Sequence, residues 1–221
     1  MNQSLATILQ KIFRKTSQNA TGDIGHVLNK SISNSCNNII SRSTFMDVVL
    51  NENQEMSFKK QASETAFILP IFGELEFKSM GTVENIPVQY LKILPSGIEQ
   101  LISIGNNFSD SKINFLFICL PLEYSDTQYG MLIEPGIYNQ IIEVLNKAQF
   151  KLGVGIFDER TSSEIALNSS SGTTLIYVLN GVFEVEDRLL ENRDGLILTN
   201  KNSIEFEALL PNSVLLAIEL K

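Results

Sequence analysis

The sequence predicts an all-β protein built from two similar halves. Three observations carry this. From Thr44 onward the apolar residues come in short runs, each closed by Gly, Pro or Asn. Several runs alternate apolar with polar, as in Glu74-Leu-Glu-Phe-Lys78 and Val182-Phe-Glu-Val-Glu186, the period of a strand with one buried face. The series of runs also resumes after a poorly periodic stretch at 121–140 that carries Pro121, Gly130, Pro135 and Gly136. Strands at this spacing imply a β-sandwich or barrel. The expected organisation is a first domain over 1–125, a connection over 126–149 and a second domain over 150–221, with few short helices.

Taken in order, Phe45-Met-Asp-Val-Val-Leu50 stops at Asn-Glu-Asn, and Ala66-Phe-Ile-Leu-Pro-Ile-Phe72 runs into Gly73 and the alternating segment after it. Pro87-Val-Gln-Tyr-Leu-Lys-Ile-Leu94 ends at Pro95-Ser-Gly97, Gln100-Leu-Ile-Ser-Ile104 ends at Gly105-Asn-Asn, and the run 113–120 completes the half. In the second half the strand candidates are 151–157, 174–179, 182–186, 196–199, 203–207 and 213–220. Asn180-Gly181 is the strongest short hairpin signal. Upstream, Leu5, Ile8, Leu9, Ile12 and Phe13 have helical spacing, while Lys11-Ile-Phe-Arg-Lys15 reads equally as a short strand; residues 4–14 are open between the two. Residues 16–44, rich in Ser, Asn and Thr, read as a long loop region with short strands.

Composition narrows the function. Of 221 residues, 43% are hydrophobic and 19% charged, enough apolar material for one or two cores. The net charge of -8 argues against nucleic acid, which calls for Lys and Arg to neutralise phosphates, and the cluster Lys11, Arg14, Lys15 is too short for a footprint. No apolar run approaches the roughly 18 residues of a membrane span, and Met-Asn-Gln-Ser does not open a signal peptide. Cys36 and Cys119 belong to no Cys-x-x-Cys, and Cys119 sits in an apolar run as a buried, inert thiol. A reducing cytoplasm is the expected location.

Few residues stand out chemically. His26 reads as a solvated or hydrogen-bonded side chain rather than a proton shuttle. No serine occupies a Gly-x-Ser-x-Gly elbow. Asp158-Glu159 and Glu184/Glu186 are paired carboxylates, the second pair placed by alternation on one solvated face. Gly153-Val-Gly155 and Ser171-Gly172 lack the Lys and the helix of a phosphate loop.

Tyr177-Val-Leu-Asn-Gly-Val-Phe-Glu-Val-Glu186 followed by Leu189-Leu-Glu-Asn-Arg-Asp-Gly-Leu196 resembles the C-terminal cupin domain of pirin-like and quercetin-dioxygenase-like bicupins. Gly181 is expected to supply the positive-φ turn between paired strands and Asp194-Gly195 the next one. Ser203 to Glu219 is similar to the closing strands of that domain. In the first half, Phe67-Ile-Leu-Pro-Ile-Phe-Gly-Glu-Leu-Glu-Phe-Lys-Ser-Met-Gly81 resembles the family's strand-turn-strand after its His-x-His motif, and Val88 to Gly97 is similar to its next element. The resemblance covers roughly 44–120 and 150–221. It implies two tandem cupin domains, each a jelly-roll β-barrel.

The family holds a metal in its N-terminal cupin with three His and one Glu. The resemblance puts the His-x-His positions at Lys59 and Gln61 and the later His and Glu positions at Ile102 and Ile104. The whole chain has one histidine, His26, outside both motifs. A transition metal in such a site calls for several imidazoles, so no metal and no cofactor are expected. Lys59 and Gln61 are expected to face the first barrel's interior, either plugging a closed pocket or offering a polar handle to an anionic ligand. The function this implies is a metal-free bicupin that binds an unknown small molecule or protein, without nucleic acid or membrane. The alternatives are a pirin or quercetin 2,3-dioxygenase-like oxidoreductase, and a structural scaffold whose acidic sheets form a homo-oligomer.

Overall fold

A computed structural model describes residues 43–125, 130–132, 138–168 and 172–220. Residues 4–14, the basic cluster, His26 and Cys36 lie outside these. The chain divides into two compact units between Glu134 and Pro135. No helix occurs among the described residues, so the expected short helices find no place there.

The first unit contains β1 (Thr44–Leu50), β2 (Glu55–Lys60), β3 (Thr65–Phe72), β4 (Leu75–Ser79), β5 (Thr82–Ile86), β6 (Tyr90–Leu94), β7 (Gln100–Gly105), β8 (Ile113–Leu120) and β9 (Gly130–Leu132). They form two antiparallel sheets, ordered β1-β8-β3-β6-β9 and β2-β7-β4-β5. The second unit contains β10 (Gln140–Asn146), β11 (Phe150–Phe157), β12 (Thr161–Ala166), β13 (Thr173–Asn180), β14 (Phe183–Val185), β15 (Arg188–Leu190), β16 (Gly195–Thr199), β17 (Ser203–Ala208) and β18 (Ser213–Leu220). Its sheets run β10-β11-β18-β13-β16 and β12-β17-β14-β15. Adding ten to each strand number from β1 to β8 reproduces the second unit, with β9 and β10 as the extra edge strands. Each unit is thus one jelly-roll barrel, and the two are copies of one topology.

The strands that cross the middle of each large sheet are the easiest to explain. β8 and β18 are buried along their whole length because they sit between two neighbours with a face toward each side. Their inward side chains make the cores: Phe115 and Phe117 with Phe58, Phe77, Ile102 and Ile104 in the first barrel, and Leu215 with Phe157, Phe183, Phe206 and Ile204 in the second.

Three expectations about turns change. Asn180-Gly181 does not close a hairpin. β13 pairs with β16 and β18, β14 pairs with β15 and β17, and the chain changes sheets at Gly181. Gly181 does take φ 87°, and a Cβ there would lie 2.0 Å from Ser213 Oγ. Gly73 does the same between β3 and β4, with φ 76° and a would-be Cβ 2.6 Å from Ile113 Cγ2. In the turn before β16 the positive φ belongs to Arg193, while Gly195 already pairs with Tyr177. The β14 strand ends at Val185, so Glu186 is a turn residue with φ 48° rather than the strand neighbour of Glu184. The span 126–149 holds β9, which pairs with β6, and β10, which pairs with β11.

Candidate functional site

In the first barrel, β2 pairs with β7 so that Phe58 faces Ile102 and Met56 faces Ile104. Ile102 and Ile104 are fully buried in the core cluster. Phe58 stacks on Phe117 with ring centroids 4.3 Å apart and meets Phe115 edge-on at 6.0 Å. Lys59 and Gln61 do not join them. Lys59 points to solvent and pairs with Glu99 at 3.0 Å, and Gln61 is exposed. The expectation that these two face the interior is therefore corrected by one residue of strand phase, which flips a side chain to the opposite face.

Among the described residues of this barrel two cations face inward: Lys92 of β6, opposite Ile68 and 5.3 Å from the Phe77 ring centre, and Lys60, which has no solvent exposure. Its Nζ donates to the carbonyls of Gln61 at 3.2 Å, Glu64 at 2.9 Å and Ile98 at 2.9 Å. Three donors on three acceptors saturate the ammonium. Burial lowers the Lys60 pKa, partly offset by the nearby Glu64 and Cys119. Cys119 donates to Glu64 Oε2 at 3.3 Å, and burial pushes its thiol far above the usual range. This lysine plugs the end of a filled barrel. The interior around Ile102 and Ile104 offers aromatic and aliphatic side chains, which do not fit a transition ion. Among the described residues no three His, Cys, Asp or Glu side chains gather to hold a metal.

The second barrel differs at equivalent positions. Phe117 pairs with Met46 on one side and Ile68 on the other. The matching residue on β18, Ala217, pairs with Gly153 and Ile176. Cys119, between Thr44 and Ala66, is matched by Glu219, between Lys151 and Thr174. A phenylalanine and a methionine thus give way to alanine and glycine, and the trio of Thr44, Cys119 and Ala66 gives way to Lys151, Glu219 and Thr174, which bring in an ammonium and a carboxylate. Part of the space at Gly153 is taken by Ile141 of β10, whose Cγ2 lies 2.5 Å from where a Cβ would sit. What remains is a cavity of about 250 Å³ between the edge strands β10 and β12, lined by Ile141, Glu143, Lys151, Ser163, Ile165, Leu167, Thr174, Ala217 and Glu219.

The polar groups of this cavity are held in place. Glu219 is 3% exposed and accepts from the Asn168 backbone N–H at 2.7 Å and from Asn168 Nδ2 at 3.2 Å. Lys151 forms an ion pair with Glu143. The other end of the barrel is closed by Phe157, Phe183 and Phe206, in mutual edge-on contact at 5.0–6.0 Å. Sequence reasoning missed this site because Glu143 lies in the segment taken as connection, while Lys151 and Glu219 sit on strands read as apolar runs whose pairing across β11 and β18 the sequence does not show.

The carboxylates singled out from the sequence lie elsewhere. Asp158 braces a turn, its Oδ2 accepting from Asn139 Nδ2 at 3.0 Å and its N–H donating to Asn139 Oδ1 at 2.8 Å. Glu184 faces Glu207 across the outer face of the second barrel, and Glu164 faces Glu205 there. Glu186 is paired with Lys201 and accepts from the Glu205 N–H at 3.0 Å; both bonds lower its carboxyl pKa.

Comparison with known proteins agrees with this architecture. Residues 144–220 match the quercetinase C-terminal cupin domain. A search of curated proteins gives no match. Among solved structures, the bacterial pirin YhhW of Escherichia coli in complex with nickel(II) is 16% identical, with a TM-score of 0.69 over 80% of this chain and 81% of that one. The E. coli protein YhaK is 14% identical, with a TM-score of 0.70 over 89% and 93%. A quercetin 2,3-dioxygenase of Acinetobacter baumannii is 12% identical, with a TM-score of 0.62 over 80% and 74%. Identities this low carry the fold alone. The duplicated barrel topology and these neighbours give the chain a two-cupin fold shared with a bacterial pirin, and its second barrel, over residues 144–220, matches the quercetinase C-terminal cupin domain.

Proposed function

We propose that this chain is a metal-free bicupin that binds a small molecule in its second barrel and does not catalyse the oxygenation named for its structural neighbours. The observation that carries this is the exchange between barrels. Phe58, Phe117, Ile102 and Ile104 fill the first, whereas Ala217 and Gly153 leave a lined cavity at the matching place in the second. A pocket with a few fixed polar groups on an otherwise apolar wall is the usual form of a small-molecule site. Oxygen activation by a cupin needs several imidazoles on a redox metal, and the chain has a single histidine.

Metal analysis of protein purified from cells grown with added nickel, iron and copper tests the catalytic half of the proposal. Sub-stoichiometric metal and no consumption of quercetin or oxygen are expected. One equivalent of bound metal that supports turnover would sink it.

A further inference from the structure

The second barrel builds the wall of its cavity differently from the first. Gly153 and Gly155 of β11 face Ala217 and Leu215 of β18, on the inner side of the sheet. In the first barrel the partners of Phe117 and Phe115 at these places are Met46 and Val48 of β1, both buried in the core. Where β1 fills its barrel with its own side chains, β11 brings none at these two positions. The bulk comes instead from β10, a strand without a counterpart in the first barrel, whose extra strand β9 pairs with β6. β10 pairs with β11 so that Ile141 faces Gly155. Ile141 packs against the second core and lines the cavity. A Cβ on Gly153 would lie 2.5 Å from Ile141 Cγ2, and one on Gly155 would lie 2.9 Å from Ile141 Cδ1. The isoleucine thus lies over both glycines, in space that any side chain on β11 would take.

Ile141 also stands on an edge. β10 has a neighbour on one side only, and its ladder slips between Glu143 and Leu145. Thr174 and Ala217, across the cavity, sit on β13 and β18, each held between two strands. Edge segments open locally at lower cost than central ones, so the adjustable part of this wall is Ile141 and the fixed part is the sheet beneath it. The space that Ile141 leaves is about 250 Å³. An apolar cavity of roughly 150 Å³ admits benzene, so by proportion this one holds a ligand of about ten non-hydrogen atoms, one ring with a short substituent. We propose that Ile141 is the specificity-determining residue of the second barrel, limiting its ligand to a single-ring molecule of that size. This rests on the small-molecule reading above and adds a size class to it.

Isothermal titration of the full chain with benzyl alcohol and 2-naphthalenemethanol separates size from chemistry. The two share one polar group, carry no charge and fall on either side of that limit. Backbone amide shifts of Gly153, Thr174 and Ala217 locate the binding. The wild type is expected to bind benzyl alcohol at these residues about tenfold or more tighter than the larger alcohol, the scale on which a closed pocket discriminates volume. Ile141→Ala should remove that preference by admitting the second ring. Ile142→Ala makes the same truncation on the opposite face of β10 and should leave the preference intact. Ile141→Val, which removes one methyl group, should lower the preference in part and serves if alanine loosens the strand too far. Loss of the preference to the same extent in Ile142→Ala, or no loss in either Ile141 variant, overturns the assignment to Ile141 and leaves the small-molecule reading standing. Wild-type binding of the larger alcohol at these residues as tightly as benzyl alcohol overturns the size limit and also leaves that reading standing. No shift at these residues of the wild type with either alcohol overturns both.

Discussion

Lys60 owes its tolerance inside a barrel to geometry. An ammonium without solvent is costly unless each proton finds an acceptor, and three carbonyls at the mouth of the barrel meet that need. The adjacent Lys59 faces water. Nothing in the composition of Lys59-Lys60-Gln61 tells which lysine turns inward, because the strand carries only Met56 and Phe58 to set its phase. That is why the first barrel's lining was legible at Ile102 and Ile104, on a strand with clear apolar residues, and not at Lys59 and Gln61.

Single residues also carry two predictions about stability. Met80 and Gly81 form the two-residue turn between β4 and β5, with φ 50° and 76°. Positive φ at both places is the type I′ arrangement, which favours Asn before Gly. Met80 is 68% exposed, so its side chain is not needed for packing. Met80→Asn should raise the free energy of unfolding by about 0.5–1 kcal/mol in a urea titration. Glu186 carries the second. Its folded pKa lies below the ordinary value of about 4.5, first through the bond from Lys201 and then through the backbone of Glu205. A depressed carboxylate contributes stability that is present above the unfolded pKa and is lost as pH falls through the folded one. Urea midpoints of the wild type and Glu186→Gln should therefore differ near neutrality and converge as the pH falls through the depressed folded value. A constant gap down to the acid limit would show that the carboxylate charge is not what is lost.

At the scale of elements, the legible strands are the ones buried on at least one face. β3, β8, β11, β13 and β18 were all visible as apolar runs. β2, β5 and β12 were not. Each lies at the end of a four-stranded sheet or beside its edge, and β12, Thr161-Ser-Ser-Glu-Ile-Ala166, has one large apolar residue. Edge strands gain polar character on the side that lacks a neighbour, and alternation fades. The turn glycines were found but misread: the sequence marks a sharp positive-φ corner and not which strand pairs beyond it. Gly73 and Gly181 are the corners where each half leaves its large sheet for the small one. Gly181→Ala should cost about 2–4 kcal/mol, from the left-handed backbone and the collision with Ser213, measured by thermal or urea unfolding. A loss under about 0.5 kcal/mol would mean that the corner yields easily.

At the scale of the whole molecule, duplication explains both halves of the functional reading. One topology occurs twice, so the registers of β8 and β18 can be compared residue by residue. The comparison sets Phe117 against Ala217, Cys119 against Glu219 and Ala66 against Thr174. One copy has been filled and the other left open and polar. The bicupin architecture was readable from strand spacing and from the resemblance of 177–196. The location of the site was not, because a cavity is made by small residues, and Ala217 and Gly153 announce nothing in a sequence.

The central claim is that small molecules enter the second barrel and not the first. Amide chemical-shift mapping of the isotopically labelled full chain against a set of fragments of mixed charge tests it most directly. Perturbations clustered on Gly153, Ser163, Thr174 and Ala217, with Phe58, Ile102 and Ile104 unmoved, are the predicted result. Perturbations centred on Phe58, Ile102 and Ile104 would contradict it.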